Sequence, residues 1–197
     1  MDKSPENPLA LFSNWLEQAK EKEINDPDAM ALASCTKNGK PSVRIVLLKD
    51  FDEKGFKFHT NAESQKGSEI SENAFAALCF HWKSLRKQVR VEGHIEMATQ
   101  EEADEYFDSR PYMRQIGAHA SAQSRPLDNR ELLENKLEEL QKLYPEGSDV
   151  PRPDYWVGYR VVPEKIEFWW SNPDRLHDRI VYSKTQQGQW VQQRLYP

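Results

Sequence analysis

Cationic side chains recur in this chain within segments that otherwise read as ordered structure. In RLHDR, residues 175–179, an extended backbone would put Arg175, His177 and Arg179 on one face and Leu176 and Asp178 on the other. Such a face suits an anion or a flat ring, although an edge strand blunted with charge gives the same pattern. In RIVLLK, residues 44–49, the run Ile45, Val46, Leu47, Leu48 is apolar enough to expect burial on both faces. Arg44 and Lys49 at its two ends would then need anionic partners; snorkelling to water accounts for them equally well. SQKGSE offers Ser64, Lys66 and the free amides of a helix start, an arrangement that can bind an anion although by itself it more often only caps a helix. Gln88 opens a strand, where it could hydrogen-bond a heterocycle. Arg110, Arg114, Gln115, Gln123 and Ser124 crowd one connection, and donor-rich connections often carry function. Trp169 and Trp170 stand just before RLHDR and could pack on a flat ring. Together these segments point to one or two phosphorylated ligands bound between elements.

The composition narrows the classes. The 197 residues carry a formal charge of −5, so an anion site must be local and a nucleic-acid partner is not expected. Six Trp, seven Tyr and eight Phe supply a real core. Cys35 and Cys79 lie in apolar runs, read as reduced thiols rather than nucleophiles. They could bridge only if their strands were neighbours. No apolar run reaches membrane-span length, and the polar start MDKSPENP reads as no signal segment; a soluble, cytoplasmic protein is expected. There is no P-loop, GxGxxG, CxxC or HExxH. The histidines at 59, 81, 94, 119 and 177 lack metal spacing, so no metal is expected.

The elements that must position these residues read as one domain, 1–197. Residues 8–20 have helical spacing, with Pro8 in the first turn. Strands are expected over 29–37, 41–51, 55–61, 75–82, 88–98, 155–162, 165–170, 175–184 and 189–197. Asn38-Gly39 joins the first two. Ser64 caps a short helix. Thr99 and Glu102 form a capping box opening a helix that Pro111 ends. Residues 115–126 lack periodicity and read as a loop. Asp128 is expected to cap a helix whose Leu133, Leu137 and Leu140 form a stripe for core or subunit contact. Helices do not alternate with strands as a doubly wound sheet requires. Successive hairpins predict a mainly β fold, an antiparallel closed barrel with helices packed outside.

In chain order, RIVLLK, SQKG, QVRVEG, YFDSRP–QIGAHAS–QS, EFW and RLHDR resemble the pyridoxamine 5′-phosphate oxidase family over essentially the whole chain. The resemblance implies an antiparallel FMN-binding split β-barrel, a homodimer with FMN at the subunit interface. It implies oxidation of pyridoxamine 5′-phosphate or pyridoxine 5′-phosphate to pyridoxal 5′-phosphate, with O2 reduced to hydrogen peroxide. Position by position it assigns to FMN Arg44, Ile45, Val46, Leu47, Leu48, Lys49, His59, Thr60, Gln65, Lys66, Gln88, Gln123, Ser124, Trp169 and Arg179. To substrate it assigns Lys49, Tyr106, Arg110, Arg114, Arg175, Leu176 and His177. Arg175 and His177 would hold the ring against the flavin, and Asp26 matches an active-site aspartate. No strong general base is evident in the set, consistent with catalysis by positioning. His59 stands where the family usually has Tyr, Gln65 where it often has Arg, and Arg114 where it often has Ser. A family segment bearing an Arg and a Tyr that folds over substrate would precede this sequence's start, so a site lacking that lid, or covered by another segment, is expected. Two other readings share parts of the pattern: a split-barrel oxidase of phenazine-type biosynthesis, which is expected to lack Lys49, and a non-catalytic flavin-binding module, which needs no second phosphate site.

Overall fold

The computed structural model describes residues 7–197; most of the polar start read as lacking a signal segment lies outside them. Helix α1 (Pro8–Lys22) begins as its sequence dictates, with Pro8 in the first turn and the Asn7 side chain accepting from the Leu9 amide at 2.8 Å. Its stripe of Phe12, Trp15, Leu16 and Ala19 is buried. Phe12 meets the rings of Phe51, Phe56 and Phe80 edge-on, with centroids 4.8–5.0 Å apart.

Antiparallel strands supply the rest of that core. They are β1 (Ala29–Cys35), β2 (Pro41–Leu47), β3 (Asp50–Asp52), β4 (Gly55–Asn61), β5 (Phe75–Trp82), β6 (Lys87–Met97), β7 (Trp156–Trp170), β8 (Asp178–Lys184) and β9 (Trp190–Leu195). Their order is β2-β1-β5-β6-β7-β4-β3, with β8 on β7 and β9 on β8. Period-two alternation turns Met30, Leu32, Phe58, Leu78, Phe80, Val89, Val91, Ile166 and Phe168 inward.

The two strands expected over 155–170 are one. β6 pairs with β7 from Tyr159 to Trp170 on one side. On the other side β4 pairs with the first part of β7 and β8 with its last part, which splits the barrel. Pro163 is tolerated because the register shifts between Glu92 and Gly93. A Cβ on Gly93 would sit 2.0 Å from the Val162 carbonyl oxygen.

Helices α2 (Gln65–Glu72), α3 (Gln100–Asp108), α4 (Tyr112–Ala120) and α5 (Arg130–Leu143) complete the described chain. Ser64 caps α2, and the Thr99–Glu102 capping box opens α3. Several expectations are corrected. Residues 115–120 are helical rather than loop, because Ile116 and Ala120, one turn apart, are buried. Asn129, not Asp128, caps α5. The 41–51 strand breaks after Leu47, and residues 50–52 pair separately with β4. β2 is an edge strand rather than one buried on both faces, with Val43 and Ile45 each 67% exposed. The strands of the two cysteines are indeed neighbours, but Cys79 lies opposite Ala31 and both thiols are free. No helix among the described residues is long and apolar enough to cross a membrane.

Candidate active site

A cleft of about 920 Å³ opens between β2, β4, α2, α3 and α4. It gathers most of the residues singled out above: Arg44 to Leu47, Lys49, His59, Thr60, Gln65, Lys66, Tyr106, Arg110, Arg114, Gln123 and Ser124. Leu48 is buried in the core instead, and Asp26 is exposed in a turn outside the cleft lining. Sequence reasoning missed Trp156, which lines the cleft, and Asp28, whose carboxylate lies 3.5 Å from the Lys49 ammonium. Neither belongs to a pattern that spacing alone would single out.

The cleft has two cationic ends. At the first, Lys66 is buried at the start of α2, and its ammonium donates to Thr60 Oγ1, Ser64 Oγ and Gln123 Oε1 at 2.9–3.2 Å. All three acceptors are neutral, so no ion pair offsets the charge. Burial, and then neighbouring Arg44, push the Lys66 pKa down, a strain that a bound anion would relieve.

Arg44 is differently placed. Its guanidinium donates to the Leu32 carbonyl at 3.1 Å, to Ser34 Oγ at 2.5 Å, to Ser42 Oγ, and to the buried Glu69 at 3.2 Å. Glu69 also accepts from Ser34 and Ser42 at 2.5 Å and from Gln65 at 2.9 Å. Burial alone would raise the Glu69 pKa, but these hydrogen bonds outweigh it and hold the value at about 2. Arg44 and Gln65 are thus fixed to Glu69, and Lys66 is left as the unpaired cation at this end.

The second end is built by α3 and α4. The Arg110 guanidinium lies 4.8 Å over the Trp156 ring, and its buried Nη1 has no partner. Lys49, Tyr106 and Arg114 line the same end. At this second end His59 is stacked against Tyr106 (centroids 4.2 Å, planes 10° apart) and Trp156 (5.0 Å, 6°). Both its ring nitrogens are buried without partners. Burial first, then Lys57, Arg110 and Lys49, lower its pKa to about 4, so the imidazole is neutral at pH 7. Gly158 lies opposite His59 in the β4–β7 pairing, and a Cβ there would come within 3.0 Å of His59 Nε2.

The remaining site residues lie elsewhere on the chain. Gln88, Trp169 and Arg179 form one row across β6, β7 and β8. Arg179 binds Glu167 through two hydrogen bonds of 3.0 and 3.1 Å, which raise its pKa. The His177 ring lies 4.7 Å from that of Trp169. RLHDR is not extended throughout: Arg175 ends a 3-10 turn over Pro173–Arg175, and the strand starts at Asp178. Asp174 and Arg175 have φ of 55° and 61°, a left-handed conformation costly for non-glycine residues. The shared strand face is therefore replaced by a turn that aims Arg175 separately. None of Gln88, Trp169, Arg175, Leu176, His177 or Arg179 lines the cleft. Trp156 and Trp169 sit near opposite ends of the same strand, about 40 Å apart along it.

The fold is the antiparallel split β-barrel of FMN-binding proteins, with a cleft furnished for anions. A crystal structure of PhzG from Burkholderia lata 383 in complex with tetrahydrophenazine-1-carboxylic acid superposes with a TM-score of 0.93 at 33% identity, covering 100% of this chain and 95% of that one. A pyridoxamine 5′-phosphate oxidase-related, FMN binding protein from Nostoc punctiforme shares the fold, with a TM-score of 0.78 at 16% identity over 100% and 99% of the two chains. The family model "Pyridoxamine 5′-phosphate oxidase" matches residues 16–144, and "Pyridoxine 5′-phosphate oxidase C-terminal dimerisation region" matches 156–197. A pyridoxine/pyridoxamine 5′-phosphate oxidase from Chelativorans sp. (strain BNC1) is 54% identical, covering 96% of this chain and 90% of its own. One from Rhizobium meliloti (strain 1021) is 53% identical, over 96% and 92%. The chain belongs to the pyridoxamine 5′-phosphate oxidase family.

Proposed function

We infer that this protein is an FMN-dependent oxidase that converts pyridoxamine 5′-phosphate and pyridoxine 5′-phosphate to pyridoxal 5′-phosphate, with O2 reduced to hydrogen peroxide. The observation that carries the reading is the cleft with two separate cationic ends, each keeping a cation with no carboxylate partner among the described residues: Lys66, bonded only to neutral oxygens, at one, and Arg110, whose buried Nη1 has no acceptor, at the other. A cofactor bearing one phosphate and a substrate bearing another need such a pair of ends.

The residues fit FMN. Lys66, Thr60, Gln123 and the first amides of α2 would hold its phosphate, and the β2 backbone would run beside its ring. FMN supplies the two-electron acceptor that O2 re-oxidises. Lys49, Tyr106, Arg110 and Arg114 would grip the substrate phosphate. The dianion would sit beside His59, and the neutral imidazole can donate one hydrogen bond to it. Tyr106 and Trp156 keep that imidazole in plane. Arg175 and His177 would hold the pyridine ring; a planar guanidinium restricts a ring better than an ammonium does. Positioning of this kind supplies much of a hydride-transfer rate.

The row of Gln88, Trp169 and Arg179 would reach FMN from a second copy of the chain, since one protomer keeps it far from the cleft along β7. The exposed apolar residues of β2 and the match to a dimerisation region support a homodimer with FMN at its interface. A single domain operating in the cytoplasm completes the reading.

Purified protein reconstituted with FMN and given pyridoxamine 5′-phosphate should form pyridoxal 5′-phosphate and peroxide. Failure to bind FMN would overturn the reading. The likeness to PhzG favours a second one, oxidation of a reduced tricyclic acid. Turnover of such an acid, with none of the phosphate esters, would establish it instead.

A further inference from the structure

Helix α3 lies across β4 and β7 in a defined register. Lys57 is paired directly with Arg160, His59 with Gly158, and Asn61 with Trp156. On the helix, Glu102 and Tyr106 lie four residues apart on one stripe, and Arg110 follows just past the Ser109 cap, its amide bonded to the Phe107 carbonyl at 3.1 Å. Each meets a successive rung of the sheet. Glu102 Oε1 accepts from Lys57 Nζ and Arg160 Nη2, both at 2.9 Å. Tyr106 stacks on His59. Arg110 lies over Trp156. Four helical residues rise about 6 Å and two strand residues about 6.8 Å, so the helix stays in step with the first two rungs and delivers Arg110, two residues beyond its last one, to the third.

The first rung is the one that fixes the others. Lys57 and Arg160 are like charges directly opposite each other, an unfavourable cross-strand pair. Their side chains are only 14% and 8% exposed. Glu102 is the carboxylate shared by both, while Asp50 reaches Lys57 alone, at 3.2 Å. Its second oxygen accepts from the Thr99 amide at 3.0 Å, so one side chain ties the helix start to both strands. If α3 slipped by one rung, the Tyr106 hydroxyl and the Arg110 guanidinium would each move about 6 Å.

We propose that Glu102 is a positioning residue for the substrate-phosphate end of the cleft, setting the register of α3 so that Tyr106 and Arg110 meet the phosphate. It does not line the cleft itself. The proposal rests on the oxidase reading above.

The test compares wild type, Glu102→Gln, Glu102→Asp and Thr99→Ala as FMN-loaded proteins, with pyridoxamine 5′-phosphate as the varied substrate. Gln can still complete the capping box but cannot neutralise two cations; Asp keeps the charge but loses the reach. We expect KM to rise about tenfold in Glu102→Gln and severalfold in Glu102→Asp, with kcat and FMN affinity by fluorescence quenching within twofold of wild type. Thr99→Ala should lower Tm and leave KM unchanged. A background charge would give the opposite sign, since removing an anion near the phosphate end would lower KM in Glu102→Gln and leave Glu102→Asp unaltered. Either that result or unchanged KM in both variants overturns the proposal, as does a KM rise in Thr99→Ala equal to that in Glu102→Gln. If Glu102→Gln fails to fold, Glu102→Asp decides alone. A wild type that oxidises no phosphate ester defeats the oxidase reading rather than this inference.

Discussion

The cleft and the β6–β7–β8 row differ in how their polar groups are spent. In the cleft, Lys66 bonds only neutral oxygens, and His59 and Arg110 keep buried nitrogens without partners. In the row, Arg179 is already held by Glu167, and Arg175 sits in a left-handed turn. Buried groups left as in the cleft are costly, and on the oxidase reading its anionic ligands would offset that cost. On the same reading, the row and the neighbouring Arg175 would complete the cleft of a second copy of the chain.

The sharpest way to break this contrast is to keep the copies apart. Val43→Glu puts a charge on the exposed edge of β2. If the row completes the partner's cleft, the variant should run as a monomer in size-exclusion chromatography and lose nearly all turnover. A monomer with wild-type turnover would show that each chain builds its own site.

Next in size is Arg110→Ala. A charge-assisted hydrogen bond contributes about 1.5–3 kcal/mol, so KM for pyridoxamine 5′-phosphate should rise about ten- to hundredfold, with FMN affinity retained. Glu167→Gln tests the other region and should act the opposite way. With Arg179 released from its two hydrogen bonds, FMN affinity by fluorescence titration should fall about tenfold, since one buried ionic contact of roughly 1.4 kcal/mol is at stake, and KM should change less.

The smallest effect is one of pH. The His59 pKa is about 4 in the folded chain against 6.5 ordinarily. The unfolded chain therefore binds the proton more readily, and stability is lost as pH falls from 6.5 through 4. Glu69 and Glu102, lowered from 4.5 to about 2, lose their contributions as pH falls from 4.5 towards 2, so above pH 5 the His59 contribution is the one that changes. In phosphate-free buffer, His59→Gln should flatten the drop in Tm between pH 7 and pH 5. An unchanged drop would assign it elsewhere.

Much of this molecule was legible in its residues. Pro8, Ser64, the Thr99–Glu102 box and Asn38-Gly39 act locally, and each element they punctuate forms where their chemistry places it. The motifs that carry the resemblance named most of the cleft lining. Sequence reasoning failed where a residue's state depends on distant chain. Residues 115–120 are helical because Ile116 joins the Phe107–Trp156 core and Ala118 packs against it. β2 reads as a buried strand although its exposed face has no neighbour within the protomer. RLHDR reads as extended, yet its first residues turn back, with the Leu176 amide bonded to the Pro173 carbonyl.

By itself, then, the sequence determined the strand and helix periodicities, the caps and the set of cationic residues, because these depend on neighbours a few positions away. Only the tertiary structure decided which of those cations remain unpaired. Arg44 is committed to Glu69 and Arg179 to Glu167, while Lys66 and Arg110 stay available. Pairing depends on which strands meet across the sheet and on how α3 is registered over the Lys57–Arg160 rung. Those contacts join residues as far apart in the chain as Lys57 and Arg160, which no local pattern encodes.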